Sequence, residues 1–343
     1  MRDAVLDALA GTEAYVVGGA LRDELLGRRV LDWDVVCADP EAAARKLARA
    51  NGGAPFPLSA EHGGWRVVLE GGRTVDFTPL HGTIEEDLGR RDFTMNALAQ
   101  PLGDETYVDP FGGRSDIESR TIRHVSEHVF DDDPVRLLRA AVFADSLGFQ
   151  LDPETESLVR ARASLVARGA GERVLEALVR LGNDGFSLLD ELGLLEPLGG
   201  SLERLRPEFG PELRLIAVFG EGLKSLPISN ELRRFARTML RAAPPADDSP
   251  REIHRFRRST EPWALEALVY LDATELRAAV EAARAADPPE PLVRGDELGL
   301  PPGPEIGRLL DAIDEERAAG TIATKEEALE FARRNAGAVR SDG

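Results

Sequence analysis

The sequence predicts an α+β chain: a small domain mixing strands with helices, followed by an all-helical array. Three observations predict it. Val- and aromatic-rich runs bounded by Gly or Pro lie only before about residue 80, whereas helical spacing alone continues after about residue 125. At 343 residues the chain exceeds what one small core needs, so two or more domains are expected.

Taken in order, AYVV (14–17), DWDVVC (32–37), WRVVLE (65–70) and RTVDFT (73–78) are expected strands. ALRDELLG (20–27) and PEAAARKLARAN (40–51) are expected helices; Pro40 suits a first helical position and Gly27 a helix end. GGAPFPLS (52–59) is expected to be turn material, and GGR (71–73) a hairpin turn. DPVRLLRAAVFADSLGF (133–149) places Leu137, Leu138, Ala141, Val142 and Ala144 at helical spacing. Further helical patterns cover 153–163, 171–182, 185–192, 211–219, 229–241, 261–271, 273–286, 303–318 and 324–334. PPADDSP (244–250) and ADPPEP (286–291) are the expected linkers.

Composition excludes several classes. One Cys, Cys37, cannot close an internal disulfide, and it is expected to be buried and inert. No apolar run reaches the length of a membrane span, and the N-terminus lacks a charged-then-apolar signal, so a cytoplasmic protein without membrane contact is expected. The 42 basic residues face 61 acidic ones, a net charge of -19 that argues against an indiscriminate phosphate-binding surface. Only the charge facing a partner matters, so nucleic acid stays open. Lys46, Lys224 and Lys325 are the only lysines; the Arg bias fits a GC-rich genome as well as it fits phosphate binding.

Four segments carry polar groups that a core would not want. In VVGGALRDELLG (16–27) a strand meets Gly18 and Gly19 and then a helix bearing Arg22 and Asp23. Glycines let backbone approach a ligand, and a helix start attracts phosphate, although such pairs are also common at plain helix starts. In the second segment Asp32 and Asp34 alternate on a strand and so share one face. Two close carboxylates repel unless a cation joins them, which makes them Mg2+ candidates; a solvent-facing strand edge is the plainer reading. Asp76 joins that cluster if its strand lies alongside. In the third segment, EEDLGRRDFTMNALA (85–99), Arg90 and Arg91 precede Asp92, with Asn96 one turn later; guanidinium forks suit a triphosphate. In the fourth, DDDPVRLLRAAVF (131–143), Asp133, Arg136 and Arg139 are expected on one helical face, where they present acceptor and donors to a base edge or form an exposed ion pair. DPFGGRSDI (109–117) is expected to be structural, as are Trp33 and Trp65.

Together and in this order, these segments resemble the class II nucleotidyltransferases of tRNA maturation: CCA-adding enzymes and their CC-adding, A-adding and bacterial poly(A) polymerase relatives. GGALRD with DWD resembles the family's catalytic motif, RRDFTMNALA its sugar- and phosphate-contacting motif, and DPFGGRSDI its head–neck element. DDPVRLLRA resembles the base-reading helix, GERVLEAL (171–178) the next neck helix, and LVRGDELGLPPGPEIGRLLDAI (292–313) the tail. The resemblance implies a polymerase-β-like head over 1–123, then an all-α neck (124–198), body (199–258) and tRNA-binding tail (259–343). It implies Mg2+ on Asp32 and Asp34, with Asp76 as a third catalytic carboxylate candidate. It implies Gly18, Gly19, Arg22, Arg91, Asp92 and Asn96 around triphosphate and sugar. Asp133 and Arg136, with Arg139 on the same face, are implied to read the base of CTP or ATP. The expected partners are those nucleotides and the tRNA 3′ end.

This sequence departs from the family pattern. Asp132 replaces a usual Glu, and Val142 a usual Arg. Only 14 residues separate Asp76 from Arg91, where fuller relatives carry a longer flexible loop. Within the family its lack accompanies CC addition without the terminal A, so CC addition is expected, with full CCA addition, poly(A) synthesis or an impaired RNA-binding relative as alternatives. Poly(A) relatives often carry a basic extension, and this C-terminus offers only Arg333, Arg334 and Arg340. Eight Arg against Asp247, Asp248 and Glu252 give residues 233–258 a local balance of +5. RNA phosphates are expected there, at Arg251, Arg255, Arg257 and Arg258; a solvated helix face is the alternative.

Overall fold

The computed structural model describes residue 9 and residues 11–59 and 63–336. Most of the N-terminal stretch considered for targeting, and Arg340, lie outside the described residues. The chain forms two compact units that divide between Arg204 and Leu205.

The first unit is built on a six-stranded sheet. Its strands are β1 (Ala14–Val17), β2 (Asp32–Cys37), β3 (Ala54–Ser59), β4 (Gly64–Leu69), β5 (Arg73–Pro79) and β6 (Ala99–Pro101), in spatial order β3-β4-β5-β2-β1-β6. Helix α1 (Gly19–Leu25) follows β1, and α2 (Pro40–Asn51) follows β2. Asp39 caps α2 by accepting from the Ala42 amide, and Pro40 opens it, as its fixed φ favours.

Strands β2 and β5 pair in parallel, while β4 and β5 form an antiparallel hairpin turned by Gly71 and Gly72, both with positive φ. Period-2 alternation divides the sheet into two faces. Trp33, Val35, Val67, Val75 and Phe77 are buried on one, against α2; Arg45 of α2 lies over Trp65 from the same side. Asp32, Asp34, Val68 and Thr78 face the other way and are exposed. This open face carries Asp32 and Asp34.

Residues 52–59 are not only turn. Residues 54–59 form edge strand β3, which pairs antiparallel with β4. Pro55 and Pro57 hid it from a strand reading, since Pro cannot donate to a ladder; an edge strand tolerates them.

Beyond β5 come α3 (Ile84–Leu88), a 3-10 turn over Thr94–Asn96, and α4 (Gly113–Glu118). Asp109 accepts from the amides of Gly113 (2.7 Å) and Arg114 (3.0 Å), and Thr94 donates to the buried Asp116 at 2.6 Å. The helical part of this unit comprises α5 (Val129–Asp132), α6 (Val135–Leu147), α7 (Pro153–Arg162), α8 (Gly171–Val179) and α9 (Asn183–Glu191). The expectation of helices alone after 125 needs one correction: Thr121–Ile122 pairs in parallel with Gln150–Leu151. Asp133 stands in extended backbone between α5 and α6 rather than within a helix.

The second unit is helical: α10 (Pro211–Phe219), α11 (Asn230–Arg241), α12 (Pro250–Thr260), α13 (Ala264–Leu271), α14 (Arg277–Ala285), α15 (Pro304–Ala318) and α16 (Lys325–Asn335). Helix α12 was not expected, and the 258/259 boundary assigned from the sequence falls inside it. Its stripe of Ile253, Phe256 and Thr260 is buried. Val293, Ile313, Ile322, Ala328 and Ala332 form a core around α15 and α16. Among the described residues, no helix is long and apolar enough to cross a membrane.

Gly113 has no room for a side chain, because an added Cβ would lie 2.1 Å from the Thr94 carbonyl oxygen. Gly113→Ala is therefore expected to destabilise the first unit by about 1–3 kcal/mol, as overpacking does. Denaturant unfolding checks this.

Candidate active site

The parallel register of β2 on β5 sets Asp34 directly beside Asp76, and Asp32 beside Thr74. Asp32 accepts a 2.6 Å hydrogen bond from the Thr74 hydroxyl. Asp76 is not a free carboxylate. Arg66 of β4 forks onto it, Nε to Oδ1 at 2.6 Å and Nη2 to Oδ2 at 2.7 Å. Arg66 was not singled out from the sequence, yet the signal existed: a hairpin turning at Gly71 places residues 66 and 76 opposite each other. Partial desolvation raises the Asp34 pKa, opposed by Arg91 and reinforced by Asp76 and Asp32. Among the described residues, no three of His, Cys, Asp and Glu converge to hold an ion unaided.

The β1–α1 turn makes the second wall. Gly18 has φ 73°, and an added Cβ would sit 2.5 Å from Arg91 Nη1; Gly19 has only ordinary contacts. Arg91 pairs with Asp87 at 3.6 Å, and its buried Nε has no partner. Arg22 Nη1 donates to Asn96 Oδ1 (2.7 Å), Asn96 Nδ2 donates to Asp92 Oδ1 (2.9 Å), and Arg139 Nε donates to Asp92 Oδ2 (2.6 Å). The Phe93 amide adds a bond to Asp92 Oδ1 at 2.9 Å. Burial alone would push the Asp92 pKa up, but Arg139, Asn96 and the Phe93 amide hold it below the ordinary value. Phe143, also not anticipated, lies 5.1 Å from the Arg22 guanidinium and 5.0 Å from that of Arg139.

On the third wall, Asp133 takes a two-pronged pair from Arg173 of α8, at 3.1 and 2.7 Å. Arg136 lies 3.6 Å from Asp133 and donates to the Arg90 carbonyl at 2.7 Å. Arg173 lies within GERVLEAL but was not named as a site residue; only the fold brings it to Asp133. Val142 is buried, and Asp132 is exposed at the end of α5.

These walls enclose a cleft of about 760 Å³. It holds Gly19, Arg22, Asp32, Asp34, Arg91, Asp92, Asn96, Asp133, Arg136 and Arg139 together, with Gly18 behind Arg91 and Asp76 one strand over. Eight arginines line it (22, 29, 90, 91, 136, 139, 173 and 180) against six aspartates (23, 32, 34, 87, 92 and 133). The cleft therefore carries +2 in a chain of -19.

The remaining candidates belong to the second unit. Arg251 pairs with Glu315 (2.9 Å) and Glu316 (2.6 Å), and Arg255 with Glu252 (3.0 Å) and Glu315 (2.7 Å). Arg257 binds Glu261 and Asp287, and Arg258 binds Asp311. On α11, by contrast, Arg234, Arg237 and Arg241 are exposed and have no acidic partner among the described residues. Cys37 is buried, which pushes its thiol up to about 11. Trp33 is buried in the core.

A sheet carrying paired carboxylates beside an arginine-lined cleft defines a nucleotidyltransferase class of site. Comparison with known proteins agrees. Residues 14–81 and 66–123 match the poly A polymerase head domain. The chain is 35% identical to the A-adding tRNA nucleotidyltransferase of Deinococcus radiodurans, over 94% of this chain and 95% of that one. It is 34% identical to the CC-adding tRNA nucleotidyltransferase of Thermus thermophilus, over 93% of each. The Thermotoga maritima CCA-adding enzyme complexed with tRNA shares the fold, at a TM-score of 0.70 and 24% identity over 97% of this chain and 94% of that one. The chain belongs to the tRNA nucleotidyltransferase family and is an enzyme of that class.

Because the Asp92 pKa is lowered in the fold, its charged form stabilises the fold at pH above the unfolded value of about 3.9. That contribution is lost as pH falls through the folded value. The stability gap between the native protein and Asp92→Asn is expected to be constant near neutrality and to shrink toward acid. Urea titrations at several pH values measure it; a gap independent of pH contradicts the assignment.

Proposed function

We propose that this enzyme adds the two C residues to the 3′ end of tRNA, using CTP in the cytoplasm. The tRNA 3′ oxygen attacks the α-phosphorus of CTP, the bond to the β-phosphate bridge breaks, and pyrophosphate leaves. Arg22 and Arg91 suit the triphosphate, and the Arg22–Asn96–Asp92–Arg139 chain fixes the donors beside it. Gly18 keeps the backbone close by leaving Arg91 its space.

Asp32 and Asp34 would hold Mg2+. Their hard oxygen donors suit it, and the raised Asp34 pKa marks a carboxylate that a cation would relieve. Arg66 keeps Asp76 in an ion pair, so substrate phosphates would complete the coordination. When bound, the metal would make the acceptor hydroxyl more acidic and offset charge on the leaving pyrophosphate.

Asp133 and Arg136 offer an acceptor and donors to a base edge, with Arg173 holding Asp133 in place. Cytosine presents an amino donor and ring acceptors that match such a pair. In this reading the second unit takes tRNA phosphates. There the unpaired Arg234, Arg237 and Arg241 of α11 are better placed to take them than Arg251, Arg255, Arg257 and Arg258, which are already neutralised.

One observation favours CC over CCA addition. Residues 77–90 hold no long loop: β5 ends at Pro79, and α3 follows, locked by the reciprocal Thr83–Glu86 capping box with Ile84 and Leu88 buried. A wall so fixed has little means of reshaping the pocket from cytosine to adenine. With A-adding and CC-adding relatives at nearly equal identity, the assay must offer three substrates. These are end-less tRNA with CTP, the same tRNA with CTP and ATP, and tRNA ending in CC with ATP. Extension by two residues in the first two and none in the third is expected; efficient A addition overturns the CC reading.

A further inference from the structure

Of the six large apolar side chains exposed among the described residues, three share the open sheet face with the catalytic carboxylates. Phe56 and Val68 are 40% and 39% exposed. Register pairs Phe56 with Arg66, Arg66 with Asp76, and Asp76 with Asp34, so one row crosses four strands on one face. Val68 lies in the adjoining row, opposite Thr74 and so in line with Asp32. Leu58, 43% exposed, belongs to the same face: a Cβ on Gly64 would point between Leu58 Cβ (3.7 Å) and Thr78 Cγ2 (3.9 Å). Apolar groups grouped beside a polar cleft mark a binding surface rather than scattered exposure.

From this register we infer that Phe56, Leu58 and Val68 form a platform on which the unpaired 3′-terminal nucleotides of the acceptor RNA stack. The inference rests on the nucleotidyl-transfer reading above. Three observations select this occupant. On one side of β2 the space is taken by β1, β6 and the Gly18–Arg22 turn, which leaves the β5-β4-β3 side for a strand whose 3′ oxygen must reach Asp32 and Asp34. Arg66 neutralises Asp76, so a phosphodiester crossing this row meets no bare carboxylate between Phe56 and Asp34. Pro55 and Pro57 leave β3 poor in edge donors, which disfavours strand addition by a protein. Phe56 lies three strand spacings from Asp34, about 14 Å, within the span of the last few stacked nucleotides. Aromatic faces on a sheet bind single-stranded bases in this way, without demanding a sequence.

The test is the double variant Phe56→Thr/Val68→Thr in the full chain; both side chains are exposed and Thr keeps strand preference. KM for end-less tRNA is expected to rise about tenfold, as loss of base stacking does, with kcat and KM for CTP within about twofold of the native enzyme. A short RNA carrying 2-aminopurine at its penultimate position is expected to be quenched by the native protein and about tenfold more weakly bound by the variant. An active variant with unchanged RNA KM and unchanged quenching overturns the platform. So does a native dimer that the variant dissociates with RNA binding intact, which makes this face a contact between copies. If the native protein transfers no nucleotide, the functional reading fails, and the quenching comparison alone decides the platform.

Discussion

Asp92 accepts hydrogen bonds from the Phe93 amide, from Asn96 and from Arg139, and through Asn96 it holds Arg22. Four elements thus meet on one buried carboxylate: the turn after α3, the 3-10 turn, α1 and α6. Arg22, Asn96 and Arg139 are themselves candidate contacts for nucleotide, so the proposed binding groups are held in one network. A buried ion is tolerated only when fully paired. Here the pairing is complete within the protein, and Arg22 and Arg139 are further packed on Phe143. The positions of Arg22, Asn96 and Arg139 are therefore set by contacts within the protein itself.

The acidity of the chain coexists with this chemistry because charge is sorted locally. The cleft carries +2, while in the second unit the arginines of α12 are matched by Glu315, Glu316, Glu261, Asp287 and Asp311. The sequence balance of +5 over 233–258 counted only neighbours in sequence. Asp311, Glu315 and Glu316 come from α15 and Asp287 from the segment after α14, both distant in sequence, while Glu261 lies just past the counted window. Among the described residues, Arg234, Arg237 and Arg241 on the outer face of α11 have no acidic partner.

Elements whose evidence is local were legible in the sequence. β2 and β5 follow their alternation of buried and polar positions, β1 its Val- and Tyr-rich run before Gly18, and α2 its Pro40 start. Asp32, Asp34, Arg22, Arg91, Asn96 and Arg139 were legible as site candidates because their segments, taken together and in order, resemble a known family. Residues whose role depends on a partner distant in sequence were not: Arg66 acts through β-pairing, Arg173 through the approach of α8 to α6, and Phe143 through two guanidinium contacts. Strand β3 was obscured by its prolines. Helix α12 was obscured because only Ile253, Phe256 and Thr260 form its buried stripe, amid four arginines.

Asp32 and Asp34 are the proposed carboxylates on which transfer depends, with Asp76 engaged by Arg66. Pyrophosphate release with CTP and end-less tRNA, measured for the native enzyme beside Asp34→Asn, tests it most directly. Release at background level is expected for the variant, with binding of CTP and tRNA retained. Release at the native rate by Asp34→Asn would contradict it.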